Sequence, residues 1–302
     1  MKQISAHTLR HLAYSKSLYY HALEHTKCDS ALDCAMATLN FDNAMEMFLY
    51  ALIDYTGAKV EGDGLINLIK ALKTGPSTKK QSATINEIEI RSVHQARNQI
   101  QHHGTTPNIS DVERFRDVTY EILSSLSQEI LGINFEEILL SELIKDVFSR
   151  NFYRLAERAY SQQDYRNALL YSAVAFEYAK RLEQQRIWGS GLLFSIMKSK
   201  DKLNDLDEVL IAEIEILKLR LDYKKYQKYR DVFGHSLGPF TSIESQNQEG
   251  IIEDVKAMIQ ESMNDWSNKG IDELKSDAMF CLSFVLDSIL MWESIPRKGW
   301  SS

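Results

Sequence analysis

Proline and glycine are scarce in this chain of 302 residues, with only 4 Pro and 13 Gly. So little punctuation argues against many short strands joined by tight turns, and for long helices. Cysteine is scarcer still. Cys28, Cys34 and Cys281 are odd in number and lack CxxC spacing, which points to reduced thiols instead of a disulfide framework or a zinc site. Long apolar runs are missing. The greasiest stretch, Ala278 to Trp292, contains Asp287 and falls short of the roughly 18 apolar residues that a spanning helix needs. Met1 to Ser5 shows no apolar signal core. The expectation is a cytoplasmic protein without membrane contact. Positive charge is also in deficit. The net charge is −7, with 14 Lys and Arg against 18 Asp and Glu in residues 1–145 and 21 against 24 in the remainder. Neither half has the basic excess of a protein that coats nucleic acid nonspecifically.

What is present is helical periodicity. The length points to about two domains, and either half is large enough to bury a core. Helices are expected over residues 5–25, then through Leu32 to Leu52 with Asp29 or Ser30 as cap, and over 65–73. A long helix is expected from Thr84 to Gly104, and another over 112–131 behind a Ser110-Asp111 cap. The second half repeats this order, with helices over 143–160, 165–187, 192–198, 206–232, 251–266 and 271–295. Local matches support a duplication. Gly62 to Ile66 is similar to Gly189 to Leu193, and Ile85 to Ile90 to Ile211 to Ile216. Phe41-Asp42-Asn43-Ala44 aligns more weakly with Phe176-Glu177-Tyr178-Ala179. Residues 155–182 look like one tetratricopeptide hairpin, but no further copies follow to build a continuous core. The predicted architecture is all-α: two tandem helical domains, 1–140 and 141–302.

One string recurs with chemistry in it. Arg97-Asn98-Gln99-Ile100-Gln101-His102 is echoed by Arg230-Asp231-Val232-Phe233-Gly234-His235, 133 residues later. Arg offers a planar fork of donors for a phosphate, and His moves protons near neutral pH. On an ideal helix the Arg and His stand about 140° apart, so a bent or terminating last turn is needed to bring them together. Asn98 and Asp231 each lie four residues before their His and are read as orienting groups. The bland alternatives are salt bridges from the arginines to Glu87 and Asp222, and histidines that cap a helix C-terminus. His103 is a substitute for His102, while His94 reads as structural or surface. His7–His11 and His21–His25 have i,i+4 spacing, but no carboxylate or Cys nearby in sequence completes a metal site, and no GxxxxGK[ST] loop is present. Neither metal nor cofactor is expected. Lys224, Lys225 and Lys228 interleave with Tyr226 and Tyr229, which suits contact with single-stranded RNA through charge and stacking.

An Arg-polar-x3-His string at the end of a long helix, present twice in helical domains of this size, resembles the HEPN superfamily. The resemblance covers most of the chain as two copies. It implies HEPN-like bundles packed as an intramolecular pseudo-dimer, with Arg97, His102, Arg230 and His235 forming one composite, metal-independent endoribonuclease site. The implied reaction is attack by the RNA 2′-OH, leaving a 2′,3′-cyclic phosphate and a 5′-OH. It further implies a toxin or antiviral defence effector. RNA such as tRNA is the implied substrate, a protein antitoxin the candidate regulator, and a homo-oligomer the candidate assembly. A catalytically silent HEPN-like module that binds RNA, nucleotide or protein is the alternative, and a tetratricopeptide-type scaffold the third.

Overall fold

The structure, a computed structural model, describes residues 3–27, 30–62, 64–74, 86–189, 221–233 and 248–294. Among these residues every regular element is helical, and no helix is long and apolar enough to cross a membrane. The chain divides into two compact units, Met1–Leu143 and Ile144–Ser302.

The first unit is built on a hairpin of α1 (Ala6–His25) and α2 (Ala31–Thr56). Ser5 and Ser30 cap the two helices, each accepting from a backbone N–H three residues on. Side-chain contacts give the antiparallel register. Ser5 Oγ donates to Asp54 at 3.2 Å, Ser15 Oγ donates to the Ala44 carbonyl at 2.8 Å, and His25 Nδ1 lies 3.0 Å from Asp33. α2 ends at Gly57, whose φ of 71° is the left-handed conformation a C-terminal cap requires. α3 (Leu65–Thr74), α4 (Glu87–His103) and α5 (Ile109–Leu126) then pack around α2. α5 widens into a π-helical turn, Ser127–Leu131, and two short 3-10 turns follow.

Phe135, in the first of those turns, plugs the core. It is fully buried, with ring centroids of Tyr19 at 5.9 Å, Tyr120 at 6.3 Å and Phe48 at 6.4 Å. Buried Lys16 holds the turn in place by donating to the carbonyls of Glu136 at 2.6 Å and Ile138 at 2.8 Å.

The second unit opens with α6 (Val147–Ser161) and α7 (Tyr165–Gly189), joined by a turn in which Gln163 takes φ 62°. Its further described helices are α8 (Tyr223–Val232), α9 (Gln248–Met258), α10 (Gln260–Trp266) and α11 (Ile271–Ser294). α11 lies against α6 and α7, where Tyr153 Oη donates to the Leu282 carbonyl at 3.1 Å. Phe176 centres the core, within 4.6 Å of the Tyr229 ring, 5.4 Å of Phe284 and 5.5 Å of Trp292.

Several expected boundaries move. Asn86 caps α4, so that helix begins at Glu87 and not at Thr84, and Ile88 lies on its solvent side. Asn108 caps α5, ahead of the expected Ser110-Asp111. α6 starts at Val147 behind Asp146, because 140–143 form a 3-10 turn. The amphipathic stretch 251–266 is two helices broken at Ile259. The helix expected over 206–232 does not run through residue 222: Asp222 adopts extended backbone and caps α8 by accepting from Lys225 N–H. The remainder of that expected helix, the helix at 192–198 and the segments matching Gly62–Ile66 and Ile85–Ile90 lie wholly or mostly outside the described residues.

Phe135→Ala should destabilise the first unit by about 3–5 kcal/mol, whereas Ile88→Ala should change stability by no more than about 0.5 kcal/mol. Urea unfolding of the full chain measures both. Equal effects would contradict the assigned core.

Candidate functional site

α4 presents its chemistry to α2. Asp42, on α2, is a carboxylate with no exposed surface. Its oxygens Oδ1 and Oδ2 lie 3.1 and 3.2 Å from His94 Nδ1, and Oδ2 lies 3.7 Å from Arg97 Nε. His94 and Arg97 are three residues apart, so they share a face of α4. Each keeps about a quarter of its side chain exposed, 24% and 27%. Asn98 accepts a hydrogen bond from Arg97 Nη1 at 2.9 Å. Asn98 thus orients the arginine, where its spacing in the sequence suggests that it would orient His102.

The end of α4 is regular. The helix runs to His103 and stops at Gly104, where φ 64° lets the Gly104 N–H reach the Ile100 carbonyl at 3.1 Å. Thr105 N–H reaches the Gln99 carbonyl at 3.2 Å. The α-helix is uninterrupted between Arg97 and His102. The angle of about 140° between them on an ideal helix therefore stays open. His102 and His103 are both exposed. The arginine partner is also not the one expected: Glu87 holds Arg91 and Lys73 instead.

The second copy is partly described. Arg230 is half-buried, its Nε, like that of Arg97, is buried without a hydrogen-bond partner among the described residues, and its guanidinium lies 6.0 Å from the Tyr226 ring. Asp222, its suggested partner, serves as the cap of α8. Asp231 is exposed. His235 lies outside the described residues. The end of α8 just before it is firmly held. Trp266 Nε1 donates to the Val232 carbonyl at 3.0 Å, and Ser262 Oγ donates to that of Phe233. Both are carbonyls that a helix end leaves without an intrahelical donor.

The basic stretch divides by face. Lys224, Lys225 and Lys228 are exposed, with Lys225 Nζ 3.9 Å from Asp287 and Lys228 Nζ 4.3 Å from the Phe280 ring centroid. The tyrosines face the other way. Tyr229 has no exposed surface and Tyr226 only 8%. Burial pushes the Tyr229 hydroxyl well above its ordinary value. Their spacing is that of a core stripe, so these rings are not available to stack on bases. This corrects the reading of both as RNA contacts.

The N-terminal histidine pairs do have carboxylates beside them, supplied by α2. Asp54 Oδ2 lies 3.5 Å from His7 Nδ1, and Asp33 Oδ1 lies 3.0 Å from His25 Nδ1. Even so, among the described residues no group of three or more His, Cys, Asp or Glu is placed to hold a metal ion.

Sequence reasoning misses the Asp42–His94–Arg97 cluster. One signal points to it: Phe41-Asp42-Asn43-Ala44 aligns, if weakly, with Phe176-Glu177-Tyr178-Ala179. Glu177 is likewise a buried acid behind a fully buried Phe, although its described partner is Lys180, at 3.1 Å on its own helix. No family model, curated protein or solved structure matches this chain.

The hydrogen bond to Asp42 raises the His94 pKa above its ordinary 6.5, with desolvation and Arg97 opposing and Glu46 assisting. A pKa raised by folding means the folded state binds the proton more tightly. The stabilisation is complete below the unfolded value and fades as pH rises through the folded one. The stability advantage of wild type over His94→Gln should therefore be full below the ordinary 6.5 and shrink as pH rises from there through the raised His94 value, in urea unfolding. An advantage that is constant or grows across that window would contradict the pairing.

Proposed function

We propose that this chain is a metal-independent endoribonuclease that uses the RNA 2′-OH as nucleophile. The observation that carries this reading is the clamp on Arg97. An ion pair at 3.7 Å to a buried carboxylate and a hydrogen bond at 2.9 Å to an amide hold the guanidinium, while about a quarter of the side chain, 27%, stays open to solvent. An arginine held this way is preorganised for the charge that builds on a phosphate during transesterification. It sits on the helix whose last turn carries His102, in a string that the chain repeats at Arg230 to His235. In this proposal the two copies, one in each unit, contribute to one activity. One motif histidine takes the 2′-OH proton, and the other is the sequence's candidate for protonating the departing 5′-oxygen. The wider role is a cytoplasmic toxin or antiviral defence effector, with structured RNA as substrate and a protein antitoxin as regulator.

A second reading has its own observation. The regular end of α4 keeps exposed His102 on a different face from Arg97. That favours a catalytically silent module that binds RNA or nucleotide phosphate through Arg97.

Cleavage of tRNA and of unstructured RNA in EDTA separates the two. Arg97→Ala, His102→Ala, Arg230→Ala and His235→Ala should each slow cleavage by about 10²-fold or more. Binding without cleavage in wild type selects the second reading, and metal-dependent cleavage overturns the mechanism. For the lysines, replacing Lys224, Lys225 and Lys228 together by Ala should weaken RNA binding and flatten its salt dependence. The slope falls by about 0.7 for each single-strand phosphate that is no longer neutralised. An unchanged slope would remove that face from the interface.

A further inference from the structure

His94 reads from sequence as structural or surface, yet it is the histidine that shares a face and a buried partner with Arg97. On α4 the two are about 60° apart, against about 140° between Arg97 and His102. The Asp42 carboxylate engages Nδ1 of His94, so Nδ1 carries a proton and Nε2 is the working nitrogen. A carboxylate behind an imidazole fixes its orientation and supports its protonated form, as an acid catalyst requires. With Arg97 the cluster presents two cationic groups in front of one buried anion, a charge balance suited to a phosphodiester.

We propose, resting on the ribonuclease reading above, that His94 Nε2 is the general acid that protonates the departing 5′-oxygen of the RNA. In this step the 2′-oxygen forms a bond to phosphorus and the P–O5′ bond breaks. The 2′-OH proton passes to the general base, the role that the proposed function gives to one motif histidine, and the Nε2 proton of His94 passes to O5′. Arg97 remains on the non-bridging oxygens throughout. Asp42 is a positioning residue: it touches His94 and Arg97 and reaches the reacting atoms only through them.

The surroundings of His94 agree with this role. On α2 the charged groups facing it are Asp42 and Glu46, both of which favour its protonated form, and on α4 itself it is Arg97, which opposes. The charges that α5 and α3 send to α4 are engaged elsewhere. Arg114 of α5 is held by Glu89 and Ser92, and Lys73 of α3 by Glu87.

The test compares leaving groups. Wild type, His94→Gln and Asp42→Asn are assayed in EDTA on an RNA dinucleotide and on uridine 3′-(p-nitrophenyl phosphate), whose leaving group departs without a proton. His94→Gln should lose about 10²–10⁴-fold on the dinucleotide and about 10-fold or less on the activated ester. Its profile on RNA should also lack the fall in rate that wild type shows as pH rises through the His94 pKa. The ratio of the two rates within one variant does not depend on how much of that variant is folded. Asp42→Asn should move the same limb to lower pH. Equal losses on both substrates, or a retained alkaline fall in His94→Gln, would overturn the assignment. Wild-type cleavage indifferent to His94→Gln ends this assignment alone. A wild type that cleaves neither substrate ends the ribonuclease reading together with it.

Discussion

A carboxylate with no access to water must be met by cations or donors, and Asp42 meets that demand across the α2–α4 contact. Two of its partners, His94 and Arg97, come from one face of α4. Satisfying Asp42 therefore fixes the rotation of α4 about its own axis. With that rotation set, Ile90 and Val93 fall into the core, while Ile88 and His102 fall to solvent. The chemistry and the packing of the helix have a common origin.

The second unit meets a similar demand differently. Glu177 is also a buried acid on the second helix of its unit, behind a core phenylalanine. Lys180, one turn further along the same helix, supplies its cation. Arg230 has the Tyr226 ring beside it, and among the described residues its Nε, like that of Arg97, has no hydrogen-bond partner; what sets Arg97 apart is its ion pair with Asp42 and its hydrogen bond to Asn98. The two copies of the motif are thus alike in sequence and unlike in electrostatic setting. In the proposed ribonuclease the first copy is the more strongly preorganised.

Much of the helical layout is legible in the sequence because it depends on local signals. Periodicity places α1, α2, α3, α7 and α11, and Ser30 and the turn around Gln163 lie where capping and turn chemistry put them. Boundaries move where one polar residue displaces another as cap, as Asn108 does ahead of Ser110. The site is only half legible. Arg97 and His102 are close in sequence, and their spacing suggests a shared focus that only a bent helix could supply. The helix instead runs unbroken through both residues and ends only at Gly104. The grouping that forms in space joins residues 42, 94 and 97, and only a contact between helices distant in sequence creates it. The tyrosines of α8 show the same limit. Alternation with lysine looks like an RNA face, but Tyr229 follows Tyr226 at helical spacing and both turn inward onto Phe176.

In the proposed ribonuclease the RNA 2′-OH, and not a hydrolytic water, is the nucleophile that attacks the phosphate. Mass spectrometry of the ends left on an RNA incubated with the full chain in EDTA tests it most directly. Transesterification by the 2′-OH predicts 2′,3′-cyclic phosphate and 5′-OH ends. Ends bearing 3′-OH and 5′-phosphate, or intact RNA, would contradict it.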